Sequence, residues 1–125
     1  MLTADGLQRI CLEQPAAEET FPFSAGLSVF KVGGRIFALA ELGADPLSVS
    51  LKCVPETAVA FRLDYPAITP GYHLNKRHWN TVLLDGSVPD RLVQEMIEDS
   101  YDLVRAKLPK AVRIALGDVG SGASG

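Results

Sequence analysis

Ser28-Val-Phe-Lys-Val-Gly-Gly-Arg-Ile-Phe-Ala-Leu-Ala40 consists of two β-rich runs joined by Gly33-Gly34. A two-residue Gly-Gly link supplies the positive φ angles that a tight hairpin turn needs. Downstream, Leu47-Ser-Val-Ser-Leu-Lys52 alternates apolar and polar residues with period two, which predicts a third strand with one wet face. Gly43–Pro46 reads as the turn before it. Consecutive hairpin partners make a mostly antiparallel sheet.

Helical patterns flank these strands. Leu7, Ile10 and Cys11 fall on one face of a first helix over Thr3–Glu13, which Pro15 limits. Glu18–Ala25 reads as a loop carrying half-buried Phe21 and Phe23. Pro55 opens a helix over Glu56–Leu63, because its missing N–H costs nothing in a first turn. Pro66 and Pro70 begin a long connection. A short strand is expected at Tyr72–Leu74 and a stronger one at Trp79–Leu84, ending at Asp85-Gly86.

The longest helix runs from Pro89 to about Lys107, with Ser87 as its expected cap hydroxyl. Leu92, Val93, Met96, Ile97, Leu103 and Val104 form its apolar face, and Arg91, Glu95, Glu98, Asp99, Asp102 and Arg105 the other, a net acidic outer face. After Pro109 a last short helix offers Val112 and Leu116 for docking. The expected fold class is α+β, with a mostly antiparallel sheet and helices packed on one face. Residues 1–116 read as one domain, and the glycine- and serine-rich residues 117–125 as a flexible tail.

The chain of 125 residues is long enough for one core. Its 47% hydrophobic and 22% charged residues exclude wholesale disorder. No apolar run nears the roughly 20 residues that span a bilayer, and the first residues lack the basic-then-apolar order of a signal peptide. Cys11 and Cys53 are then expected as reduced, buried thiols of a cytoplasmic protein. The net charge of −3 is unevenly spread. Lys31–Trp79 holds six basic and four acidic residues, so the centre is +2 and the flanks −5.

Function is best sought in Pro70-Gly-Tyr-His-Leu-Asn-Lys-Arg-His-Trp-Asn-Thr-Val82. Tyr72 and Trp79 offer flat faces, and His73, Lys76, Arg77 and His78 offer donors or charge. Aromatic groups interleaved with cations suit a nucleic-acid backbone with an exposed base. They equally suit a protein partner. Read structurally, Trp79 is a core anchor at the head of a strand, and Lys76 and Arg77 are a solvated turn.

Several separated motifs, in order, resemble the MmcQ/YjbR family. They are Phe30-Lys-Val-Gly-Gly-Arg-Ile-Phe-Ala38, Leu51-Lys52, Pro70-Gly-Tyr-His73 with Lys76 and His78-Trp-Asn-Thr-Val82, Leu84-Asp-Gly86, Ser100-Tyr-Asp-Leu-Val104 and Leu108-Pro109. The resemblance implies a CyaY-like, two-layer α+β fold, also described as double-wing, and a DNA-binding role. By that analogy the Gly33-Gly34 hairpin is a wing, and Pro70–Asn80 lies near the nucleic acid.

The leading expectation is a non-catalytic DNA-binding module without cofactor. Arg35, Lys52, Lys76 and Arg77 would meet phosphates, and Tyr72, His73, His78 and Trp79 would shape or stack the site. The alternative is a protein-interaction module, or one for a small anionic ligand, using the same groove. Cys11, Cys53, His73 and His78 lack metal-ligand spacing. No phosphate-cradling loop or nucleophile elbow occurs, so no enzyme is expected.

Overall fold

The computed structural model describes residues 1–71 and 74–117. Its elements run α1 (Ala4–Glu13), β1 (Glu18–Thr20), β2 (Ser28–Val32), β3 (Arg35–Ala40), β4 (Ser48–Lys52), α2 (Pro55–Asp64), β5 (Ile68–Pro70), β6 (Trp79–Leu83), α3 (Asp90–Ala106) and α4 (Lys110–Ala115). The strands form one antiparallel sheet in the order β1-β2-β3-β4-β6-β5. The α+β fold is therefore as expected.

The hairpin at its centre follows directly from the two glycines. Gly33 and Gly34 hold φ of +57° and +80°, the pair of positive angles that matches the twist of the flanking strands. Phe30 pairs with Ala38 but Lys31 pairs with Ile36, so Phe37 is an extra residue in β3. Such a bulge re-aims side chains, and Phe37 is fully buried.

Alternation builds the core on one face of the sheet. Phe30, Ala38, Leu51 and Asn80 lie in register on the buried side, and the paired Val49 and Val82 share that face. α1 contributes Leu7, Ile10 and Cys11, and α3 contributes Val93, Met96, Ile97, Tyr101 and Val104. The other face carries half-buried Leu39, Ser50 and Thr81 in register, and the Ser50 and Thr81 hydroxyls hydrogen-bond at 2.9 Å.

Two buried polar side chains fasten helices to the sheet. Ser100 Oγ accepts from the Lys52 N–H at 2.8 Å and donates to the Phe37 carbonyl at 2.6 Å. It thereby bridges β3 and β4 just beyond the last pair of their ladder, Ala38 with Leu51. Asn80 donates to the Ala58 carbonyl of α2 at 3.2 Å and accepts from the Arg62 guanidinium at 3.0 Å. The Tyr101 hydroxyl donates to the Pro15 carbonyl at 2.6 Å, and its ring meets Phe37 edge-on at 5.4 Å.

Several details differ from expectation. Glu18–Thr20 is an edge strand, not loop, because it pairs with β2. Phe21 and Phe23 are 52% and 66% exposed, since the chain beyond that edge leaves the sheet. The short strand lies at Ile68–Pro70, and Leu74 sits in a bend. Tyr72 and His73 lie outside the described residues, as does most of the expected tail. Ser87 does not cap α3. Its N–H and hydroxyl both bond Asp85 Oδ1, and Pro89 occupies the cap position. Leu92 and Leu103 are only half-buried, while Ser100 and Tyr101 take the deeper positions. Cys53 is half-buried rather than buried, because it follows the last residue of β4.

Candidate functional site

Antiparallel pairing gathers most of the candidate residues at one end of the sheet. Arg35 begins β3, Lys52 ends β4 and Trp79 begins β6. Lys52 and Trp79 are direct register partners, so their side chains lie side by side on adjacent strands. The turn before β6 is held at this end by the Cys53 N–H, which donates to the His78 carbonyl at 2.7 Å.

The turn itself is shaped by Asn75. Its side-chain oxygen accepts from the Arg77 N–H at 2.9 Å, and its carbonyl accepts from the N–H groups of His78 and Trp79. An asparagine that bonds the backbone two residues on is an ordinary turn device. Lys76 and Arg77 are exposed on it, and His78 and Trp79 are half-buried. Trp79 is thus neither a core anchor nor a free platform. Its close neighbour is Gly71, whose N–H donates to the Trp79 carbonyl at 2.8 Å. A Cβ at Gly71 would lie 2.7 Å from Trp79 Cβ, so glycine is what lets the strand and connection approach.

Lys52 marks the electrostatic centre of this end. Burial lowers its pKa first, and the nearby charges of Lys107 and Arg35 lower it further. Lys107 immediately follows α3, a position where a cation also suits the helix C-terminus. Sequence reading missed it, because nothing local shows that α3 ends over β4. Among the described residues the one ion pair joins the Met1 amino group to Asp90 at 3.4 Å. The Arg35, Lys52 and Lys107 group is therefore without an acidic partner there.

Arg62 also reaches this region, donating to the Lys76 carbonyl at 3.0 Å as well as to Asn80. It ties α2 to the turn and is occupied structurally.

Beside the basic end, a groove of about 320 Å³ runs between α2 and α3 over the end of β4. Leu51, Val54, Phe61, Met96 and Leu103 supply its apolar walls, with Lys52, Cys53, Asp99 and Asp102 among the polar groups. Burial and then the Asp99 charge push the Cys53 thiol up. Burial, then Asp102, Glu95 and Glu98, push the Asp99 carboxyl up. Among the described residues no three His, Cys, Asp or Glu side chains form a group able to hold a metal ion.

A family model described as YjbR matches residues 12–103. The uncharacterised protein YbdF of Escherichia coli O157:H7 is 39% identical over 104 residues, covering 82% of this chain and 84% of that one. The uncharacterised protein YjbR of Escherichia coli K12 is 34% identical over 112 residues, covering 90% and 95%. The crystal structure of Deinococcus radiodurans protein DR2400, of the domain family DUF419, superposes with a TM-score of 0.88. It is 47% identical, with 100% of this chain and 96% of that chain covered. No described helix is long and apolar enough to cross a membrane.

Proposed function

We propose that this chain, which belongs to the YjbR family, is a non-catalytic cytoplasmic module that binds nucleic acid across the basic end of its sheet. The observation that carries the reading is the clustering of Arg35, Lys52 and Lys107 without an acidic partner among the described residues. Like charges held together are relieved by a polyanion, and phosphates are the polyanion a duplex or single strand presents. Lys76 and Arg77 extend the positive surface onto the adjoining turn. Trp79 beside Lys52 supplies an indole face for an unpaired base. The acidic residues of α3 favour an approach that keeps phosphates at the sheet end.

The test is fluorescence anisotropy with a short labelled single strand and its duplex at two salt concentrations. Binding is expected at low salt and should weaken steeply as salt rises. Arg35→Ala, Lys52→Ala and Lys107→Ala should each reduce the slope of log affinity against log salt by about one. Trp79→Ala should weaken the single strand more than the duplex. Absence of binding at low salt, or binding indifferent to salt, overturns the reading. Binding of inorganic phosphate without any binding of oligonucleotide would establish the small-anion alternative instead.

A further inference from the structure

α2 is a poorly buried helix. Of its residues only Ala58 is buried, and Val59 and Leu63 are 47% and 81% exposed. It rests on β5 and β6, whereas α3 lies over β2, β3 and β4. The gap between the two helices, above buried Leu51 and Asn80, forms the groove described above. Its volume of about 320 Å³ falls at the lower end of the range of small-molecule sites, roughly 300–1,000 Å³.

The polar groups on its walls are unequal in sign. α3 contributes two exposed carboxylates, Asp99 and Asp102, and β4 contributes one cation, Lys52. Neither aspartate has an ion-pair partner among the described residues. Glu95 and Glu98 add to the negative field at Asp99. An apolar slot walled by unpaired carboxylates is complementary to a ligand with an apolar body and a positive head.

We propose that the groove between α2 and α3 binds a small organic cation, its apolar body against Phe61, Met96 and Leu103 and its charged head beside Asp99 and Asp102. The site adjoins the basic sheet end, with which it shares Lys52, and its carboxylates select the opposite charge. Its test uses no nucleic acid, so its failure and the failure of nucleic-acid binding are distinguishable.

Three isosteric probes test it in ¹H–¹⁵N NMR titrations of the full chain: phenylpropylammonium, phenylpropanol and phenylpropionate. Saturable shifts are expected at the groove-lining residues Val54, Thr57, Phe61, Met96 and Leu103 with the ammonium probe. The alcohol should bind about fivefold more weakly, the ratio one partly exposed ion pair supports, and the carboxylate more weakly still. Asp99→Asn combined with Asp102→Asn should bring the ammonium probe down to the affinity of the alcohol and leave the alcohol unchanged. Both positions are exposed, so the variant should retain the fold, and an unaltered spectrum away from the groove verifies this. The proposal is overturned if the carboxylate binds as well as the ammonium, if the lining residues do not shift, or if the variant binds the ammonium probe undiminished.

Discussion

Gly33 holds φ at +57°, and a Cβ built on it would lie 2.6 Å from Leu108 Cδ1. Gly34 holds φ at +80° but faces open space. Both substitutions to alanine incur the left-handed penalty of roughly 1–2 kcal/mol. Only Gly33→Ala must also displace the buried Leu108, which adds about 1 kcal/mol or more. Urea denaturation should therefore rank Gly33→Ala below Gly34→Ala in stability, and equal midpoints would refute the packing argument. Cys11 is a second residue whose surroundings set a measurable property. Burial, then Glu19, push its thiol from the usual 9.0 up to about 12. Between those values the unfolded chain has released a proton that the folded chain keeps, so stability falls as pH rises. The slope approaches about 1.4 kcal/mol per pH unit, and the effect is absent below pH 9. Cys11→Ala loses packing at every pH but escapes this alkaline loss. Its stability deficit against the parent should narrow between pH 8 and pH 11, and a constant deficit would contradict the assignment.

Among the elements, α2 and α3 are attached to the sheet by different means. α3 buries a broad apolar stripe, and Ser100 adds two hydrogen bonds, one to β3 and one to β4. α2 buries only Ala58 and depends more on Asn80, whose amide bridges the Ala58 carbonyl and the Arg62 guanidinium. Removing a buried bridging amide leaves its partners unsatisfied at a cost of about 1–3 kcal/mol. Asn80→Ala should thus accelerate hydrogen exchange over Pro55–Asp64 while α3 keeps its protection. Equal acceleration in both helices would mean that Asn80 supports the whole core rather than α2. The sequence pattern identified both helices but not this contrast. Periodicity marks α3 as amphipathic, whereas the weak stripe of α2 says only that its hold on the sheet must come from elsewhere.

At the scale of the molecule, one sheet face and its helices share a single core. Residues from α1, from strands β2 to β6 and from α3 belong to it together. Unfolding should then be a single cooperative transition. The chain has one tryptophan, and Trp79 stands at the basic end beside Lys52. Its fluorescence reports that end, and far-ultraviolet circular dichroism reports the whole. The two denaturation curves should coincide, and a Trp79 transition at lower urea would show that the basic end opens as a separate unit.

What the sequence determined by itself was local. Gly33-Gly34 fixed the hairpin because few residues other than glycine adopt two successive positive φ angles easily. The alternation of Ser48–Lys52 fixed a strand with one buried face, and Pro55 the start of α2. The candidate cations were legible as residue types, and the separated motifs as a family pattern. Their convergence was not legible. Arg35 and Lys52 are neighbours in the field of Lys107 only because β3, β4 and α3 all present the relevant terminus at one end. The same holds for Ser100, a polar residue on the acidic helix until the fold sets its hydroxyl between the Phe37 carbonyl of β3 and the Lys52 N–H of β4. The groove is likewise a property of spacing between helices distant in sequence. Local backbone preference is carried by a few adjacent residues, so it can be read along the chain. Charge clusters, satisfied buried hydrogen bonds and cavities depend on which segments meet, and only tertiary packing decides that.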